Sequence, residues 1–184
     1  MIKTENNSLI FVIQFGTNVF KMKALILIFN LLLFANVYAA EFPNYQGIVN
    51  DYENVFSAKQ EKTLTKLISK NEVKTGSKFI VVSTKNYKPG NNFRSYILGL
   101  FEHWKLSEPQ TKNGVLILVS LGQKDLKIIP GNNMKTIFTE KKIRHIVENI
   151  MSPKFLLKKH FSGLKKGLKS MIKTVKNYHK LKKS

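Results

Sequence analysis

The pattern of apolar and polar positions along the chain predicts helices that alternate with buried strands. Residues 57–60 (Ser-Ala-Lys-Gln) match the capping box of a helix start, and the helix is expected to run to about Asn71 with apolar residues on one side and lysines on the other. The short β-branched run 78–84 predicts a buried strand. A second helix is expected after Asn91-Asn92, because large apolar residues recur at helical spacing from Phe93 to Trp104.

The second half of the chain continues this alternation. The almost wholly apolar run 115–121 predicts a central strand, and residues 126–129 predict a third strand that joins it as a hairpin. Thr139 is expected to cap a third helix, which Pro153 separates from a last helix over about 157–181. Helices alternating with buried strands indicate the α/β class, in the form of a three-layer α/β/α sandwich with a small central sheet.

The first segment has the three parts of a secretory signal. Met22-Lys23 is a short basic start, residues 24–34 are an apolar centre, and residues 35–40 (Ala-Asn-Val-Tyr-Ala-Ala) resemble a cleavage site. Cleavage is predicted after Ala39, so that residues 1–39 are the signal peptide. This segment includes residues before Met22 that can be an over-extended start. Residues 40–46 are then a short linker. The protein is then extracytoplasmic, either periplasmic or secreted. An uncleaved anchor is the alternative.

Composition narrows the possible chemistry and shows an uneven charge. The 184 residues include 31 Lys+Arg against 11 Asp+Glu, for a formal net charge of +20, and no cysteine. Without cysteine, a disulfide framework, a thiolate zinc site and a cysteine nucleophile are excluded. The segment from Lys154 to the end holds 11 lysines and no acid. Most of the excess charge therefore lies in this C-terminal segment.

The residue pattern of the last helix predicts contact with an anionic surface. It carries an apolar stripe along one side and lysines elsewhere, as do helices that lie on anionic membranes. A domain over residues 47–172 and a Lys-rich tail over 173–184 are expected. The candidate membrane- or polyanion-binding residues of the tail are Lys173, Lys176, Lys180, Lys182 and Lys183. Nucleic acid is not an expected partner, because the segment has few aromatic residues and almost no arginine. The simpler alternative is a solvated helical face.

The order and spacing of these segments resemble the TPM-domain family over about residues 47–172. The segments that carry the resemblance are 47–52 (GIVNDY), 78–84 (KFIVVST), 100–104 (LFEHW), 113–119 (NGVLILV), 127–131 (KIIPG), 152–155 (SPKF), 161–164 (FSGL) and 167–168 (GL). The family comprises mostly bacterial and plastid extracytoplasmic or membrane-attached domains. The resemblance implies an α/β/α sandwich that binds a divalent cation, with phosphatase activity proposed for some members.

The resemblance also implies a metal site at one edge of the sheet. Asp51, Asp125 and Glu140 are the candidate ligands of one Ca²⁺ or Mg²⁺, with Asn113 and Gly131 nearby in the family's layout. The alternative is that Asp51 caps a turn and that Glu140 lies favourably in the positive first turn of a helix.

The sequence also departs from the family's pattern. Gln123 and Lys135 stand where members usually carry an acid, and fewer carboxylates predict weaker cation binding. The favoured function is an exported accessory or binding domain at the cell envelope, whose partner is an anionic membrane surface or an envelope protein. One alternative is a metal-dependent phosphatase of the same fold. The other is a cationic membrane-surface or polyanion-binding protein. The oligomeric state is left open.

Overall fold

The computed structural model describes residues 42–85, 93–106 and 113–182, with the side chain of Phe93 excepted. The chain divides into two units, Met1–Ala39 and Ala40–Ser184, and every described residue belongs to the second. The predicted signal peptide, its cleavage site and Lys183 therefore lie outside the described residues.

The described strands form one sheet in chain order, with the first three strands parallel and the fourth antiparallel to the third. They are β1 (Val49–Asp51), β2 (Lys78–Ser83), β3 (Gly114–Ser120) and β4 (Asp125–Pro130). The predicted strands and the hairpin are thus confirmed. Strand β1 was not predicted, because a strand of three residues is too short to show an alternating pattern.

Five α-helical segments complete the described part of the domain. They are α1 (Ala58–Thr75), α2 (Phe93–His103), α3 (Glu140–His145), α4 (Ser152–Leu156) and α5 (His160–Leu181). The capping box at the start of α1 is present. The Ser57 hydroxyl accepts a hydrogen bond from the main-chain amide of Gln60, and the side-chain oxygen of Gln60 accepts one from the main-chain amide of Ser57. Helix α1 ends at Gly76 in the left-handed conformation (φ 65°), one turn beyond the expected Asn71.

The sheet is covered on both faces, as the predicted three-layer α/β/α sandwich requires. Residues of β2 alternate between the two faces, so that Phe79 and Val81 pack with α1 and α5, whereas Ile80 and Val82 pack with α2. The first described residues of the predicted linker pack on the α2 side, where Phe42 contacts the ring of Tyr96 and the Pro43 carbonyl accepts a hydrogen bond from the Trp104 indole (2.7 Å).

The connection between the last helices differs from the expectation in one respect. Pro153 does not separate two helices; it lies within α4, near its start. A π-helical turn (Ile146–Met151) joins α3 to α4, and the chain changes direction at Lys158, which has φ 55°. Helix α5 then stays packed beyond Ile172, because Val175 is fully buried.

Candidate functional site

The carboxyl ends of the parallel strands form a polar edge, at which Asp51 holds a turn. Its Oδ1 atom accepts a hydrogen bond from the Val55 amide (3.0 Å), and its Oδ2 atom accepts one from the Phe56 amide (2.7 Å). The Ser83 hydroxyl donates a further hydrogen bond to the same carboxylate. Asp51 therefore fixes the connection from β1 to α1, which agrees with the capping role considered for it.

A second acid at this edge, Glu53, was missed by the sequence reasoning. Its carboxylate accepts hydrogen bonds from the main-chain amides of Leu121 (2.9 Å) and Gly122 (2.8 Å), and so it ties the β1–α1 connection to the turn between β3 and β4. The only local signal is an acid two residues after Asp51. Its partners lie almost seventy residues away in sequence.

Two tyrosines beside this edge stay uncharged at neutral pH. Burial raises the pKa of Tyr96, an effect that a hydrogen bond with the Thr84 side chain partly offsets. Burial also raises the pKa of Tyr52, and the neighbouring Tyr96 raises it further. The Tyr52 hydroxyl donates to the carbonyl of Asn44. These phenols supply hydrogen bonds and no negative charge that would attract a cation.

The structure does not bring the five residues of the expected metal site together. Asp125 begins β4 opposite Ser120 at the same edge as Asp51, but three strand spacings, or about 14 Å, separate the two strands. Asn113 precedes β3, and strands β1 and β3 point the same way, so Asn113 lies at the opposite edge from Asp51. Gly131 lies with Asn113, since its amide donates to the Gly114 carbonyl (2.8 Å).

Glu140 is exposed at the first position of α3. Within the described residues, no group of three or more His, Cys, Asp or Glu side chains is placed to hold a metal ion. Binding of Ca²⁺ or Mg²⁺ at Asp51 stays a prediction.

The strongest charge feature is a pair of exposed lysine rows on α1 and α5. The α1 lysine row consists of Lys59, Lys62, Lys66, Lys70 and Lys74. The α5 lysine row consists of Lys166, Lys169, Lys173, Lys176 and Lys180. Because members of each row are three or four positions apart, each row follows one side of its helix for about 21 Å. Both helices pack on the same face of the sheet and contact one another, so the two rows together form one surface, here named the basic face.

The basic face contains few acids. No Asp or Glu follows Glu148, so α5 has none, and α1 carries only Glu61 and Glu72. Three of the five tail lysines predicted from the sequence belong to the α5 row. The ammonium group of Lys182 lies 5.9 Å from the ring centre of Tyr178, and Lys183 lies outside the described residues.

The two rows converge on a groove at the carboxyl-terminal ends of their helices. The groove has a volume of about 460 Å³ and is lined by Lys74 and Thr75 of α1 and by Lys176, His179 and Lys180 of α5. Three lysines from two helices thus line one open groove, which the sequence alone did not indicate.

Large apolar side chains are exposed at both ends of the basic face. Leu156 (85% exposed) and Leu157 (62%) lie in and just after α4, before α5 begins. Val73 (88%) precedes Lys74, and Leu181 (77%) follows Lys180. Exposed apolar residues beside lysines are typical of surfaces that contact the interface of a membrane.

None of the helices that the structure describes is both long enough and apolar enough to cross a bilayer.

Solved structures share this fold at low sequence identity. The N-terminal domain of a P. gingivalis protein, solved by NMR, aligns with a TM-score of 0.65 at 18% identity, covering 71% of this chain and 83% of its own. The BA42 protein of the psychrophilic bacterium Bizionia argentinensis aligns with a TM-score of 0.61 at 20% identity, covering 69% of this chain and 86% of its own.

A third solved structure, the N-terminal domain of a Corynebacterium glutamicum protein, aligns with a TM-score of 0.52 at 13% identity, covering 77% of this chain and 85% of its own. At these identities the likeness shows the fold alone.

The comparison with curated proteins gives no match. The family model of the TPM domain matches residues 49–174, which confirms the resemblance inferred from the sequence. That match spans more than half of the chain, and the chain therefore belongs to the TPM-domain family.

Proposed function

We propose that this TPM-domain protein is exported and acts at the cell envelope as a binding domain that docks on an anionic membrane surface. The observation that carries the proposal is the basic face, in which ten exposed lysines from two adjacent helices accompany only two acids. Export rests on the signal-like segment that ends near Ala39. The docking surface is the outer side of one helical layer, which leaves the polar sheet edge free for a further partner.

A solvated helical face is the competing explanation for these lysines. Like charges three and four residues apart on a helix repel one another by a few tenths of a kcal/mol per pair. A face that only needs to be soluble can mix both signs and avoid this cost, but α5 contains no acid at all. An anionic surface relieves the repulsion, because each lysine then has a negative partner.

The exposed apolar residues favour a membrane over a nucleic acid. Leu156, Leu157 and Leu181 are aliphatic and suit the boundary between lipid headgroups and acyl chains, whereas bases stack on aromatic side chains. Neither α1 nor α5 contains arginine, the residue best suited to bind phosphate with two parallel hydrogen bonds. The recognition expected is therefore mainly electrostatic.

The magnitude of the attraction predicts reversible docking. A lysine near an anionic membrane contributes about 1 kcal/mol. If half of the ten lysines reach the surface, the sum is about 5 kcal/mol, which corresponds to a dissociation constant of a few tenths of a millimolar. Insertion of exposed leucines adds to this value. Binding of this kind is peripheral and weakens as salt increases.

Co-sedimentation of the full chain with vesicles tests the proposal. We expect binding to phosphatidylglycerol-containing vesicles at low salt, little binding to phosphatidylcholine vesicles, and loss of most binding at about 1 M salt, where the Debye length is about 3 Å. Equal binding to both vesicle types that persists at high salt would instead indicate apolar insertion. That outcome contradicts a role for the basic face.

The Leu156→Gln/Leu157→Gln variant is expected to bind anionic vesicles about tenfold more weakly, because partial insertion of two leucines contributes on the order of 1 kcal/mol. Both side chains are mostly exposed, so the free energy of unfolding should change by less than about 0.5 kcal/mol. Vesicle titration and urea unfolding measure the two effects.

The matched control is Leu98→Gln. Leu98 is 46% exposed on α2, which covers the opposite face of the sheet from α1 and α5. It should leave vesicle binding unchanged. If Leu98→Gln weakens binding as much as the double variant, then the contact surface is not the one proposed.

We propose two further functions with less support, divalent-cation binding and metal-dependent phosphatase activity. Both rest on membership of the TPM-domain family and on Asp51 at the sheet edge. The carboxylate of Asp51 already accepts three hydrogen bonds. A cation at this position must share the carboxylate with those donors or displace them.

A further inference from the structure

We propose that the groove between the ends of α1 and α5 binds a phosphomonoester group, the headgroup type of phosphatidic acid. This inference rests on the proposed function, because it names the chemical group that the basic face recognises on an anionic surface. It turns a diffuse attraction into a site with defined residues. Free inorganic phosphate shares the chemistry and is the other possible source of the ligand.

The groove is built by two elements rather than by one stretch of sequence. Lys74 comes from the last turn of α1, and Lys176 and Lys180 come from α5. It is an open groove of about 460 Å³, which a headgroup at a membrane surface can enter. Lysines that line such a groove can cover its walls with their aliphatic stems while their ammonium groups stay in solvent. A phosphate group on a membrane surface can then reach those ammonium groups.

The charge of the groove favours a dianion. Three lysines line it and no carboxylate does. The carboxyl-terminal ends of α1 and α5 contribute negative charge equivalent to about half an electron each. Three full positive charges exceed this total by about two, which matches the charge of an ionised phosphomonoester.

Neutralisation of the helix ends does not account for all three lysines. Lys74 and Lys180 lie in the last turns of their helices, where a cation stabilises the free carbonyl groups. Lys176 lies one turn earlier on α5 and is beyond the reach of that effect, which falls off within the last turn. The groove therefore holds one cation more than helix capping requires.

The Thr75 hydroxyl is already engaged and is not expected to bind the ligand. It donates to the Asn71 carbonyl (3.0 Å) and accepts from the Ser77 amide (3.3 Å). Recognition thus depends on the lysine ammonium groups, each of which offers three donors to phosphate oxygens. This assignment makes Lys74 and Lys180 the residues to test.

The test compares two double variants of the full chain that remove equal charge from the same two helices. Lys74→Gln/Lys180→Gln alters the groove, whereas Lys70→Gln/Lys173→Gln alters the same lysine rows one or two turns away. All four lysines are exposed, and urea unfolding should show the groove variant to be less stable than its control by about 1 kcal/mol, because Lys74 and Lys180 neutralise the ends of their helices. Both variants are compared under conditions in which they stay folded. Only a discrete site distinguishes their binding, because diffuse attraction depends on the amount of charge and not on these positions.

Two arms separate the possible sources of the phosphate group. With vesicles containing phosphatidic acid, we expect the groove variant to bind about tenfold more weakly than its control, because charge-assisted hydrogen bonds to the phosphate are lost. With phosphatidylglycerol vesicles, whose phosphodiester has one charge, the two variants should bind alike. In the second arm, millimolar inorganic phosphate is added without vesicles, and the melting temperature is compared with that in chloride at the same ionic strength.

A phosphate-dependent rise in melting temperature for the wild type and the control variant, absent from the groove variant, also supports the site and assigns it to a soluble ligand. Equal behaviour of the two variants in both arms would overturn the inference. A wild-type protein that binds no anionic vesicle at all contradicts the proposed membrane docking, but not the groove site. The phosphate arm still reports on the groove in that case.

Discussion

Neutralising four members of the α5 lysine row is expected to weaken binding to phosphatidylglycerol vesicles by about a thousandfold. The variant is Lys166→Gln/Lys169→Gln/Lys173→Gln/Lys176→Gln. Each lysine contributes about 1 kcal/mol near an anionic surface, and 1.4 kcal/mol is a factor of ten in affinity. The four side chains are exposed and repel one another, so their removal should leave the free energy of unfolding equal or slightly higher. Vesicle titration at low salt measures the loss.

The control for this variant removes the same charge from elsewhere on the domain. Four exposed lysines that belong to neither α1 nor α5 are changed to Gln: Lys85, Lys124, Lys135 and Lys141. If placement on the basic face is what matters, this control loses less than about tenfold in affinity. A thousandfold loss in both variants would show that the net charge of +20, and not a particular surface, drives binding.

Asp51→Ala is expected to lower the free energy of unfolding by about 3 kcal/mol in the presence of a chelator. The substitution removes the acceptor of two main-chain amides, those of Val55 and Phe56, and of the Ser83 hydroxyl. Hydrogen bonds to a charged group contribute about 1.5–3 kcal/mol each, and water recovers part of the loss at this half-buried edge. Urea unfolding of both proteins measures the difference.

Glu140→Ala is the control for Asp51, because Glu140 is the exposed first residue of α3 and was predicted for the same metal site. Its loss should cost only about 0.5 kcal/mol, through the helix dipole. A cation ligand, by contrast, adds stability only while the cation is present. If Asp51→Ala is as stable as wild type in chelator but loses a Ca²⁺-dependent rise in melting temperature, Asp51 is a cation ligand and the turn-holding role is contradicted.

Local signals were sufficient to predict most of the fold. The capping box at Ser57 and the apolar run of β3 each concern residues close together in sequence, and both are confirmed. Strand β1 was missed because it has only three residues and is stabilised by pairing with β2, which lies about thirty residues further along the chain. The hydrogen bonds of Glu53 were missed for the same reason.

The candidate site was only half predicted, because it depends on how elements pack. The lysines of α5 beyond Ile172 were identified from the helix itself, but the row begins earlier, at Lys166. The lysines of α1 were assigned to the outer side of their helix, yet nothing in the sequence shows that α1 lies beside α5 or that Lys74 meets Lys180 in one groove. Asn113 was expected near Asp51, whereas the parallel directions of β1 and β3 place it at the opposite edge.

Lysine footprinting identifies the surface that meets the membrane. The full chain is acetylated with a water-soluble reagent, with and without phosphatidylglycerol vesicles at low salt, and the modification of each lysine is read by mass spectrometry. If the basic face docks on the membrane, vesicles protect the α1 and α5 lysine rows while Lys124, Lys135 and Lys141 react as they do in solution. Protection spread evenly over all exposed lysines, or confined to those three, would contradict docking through the basic face.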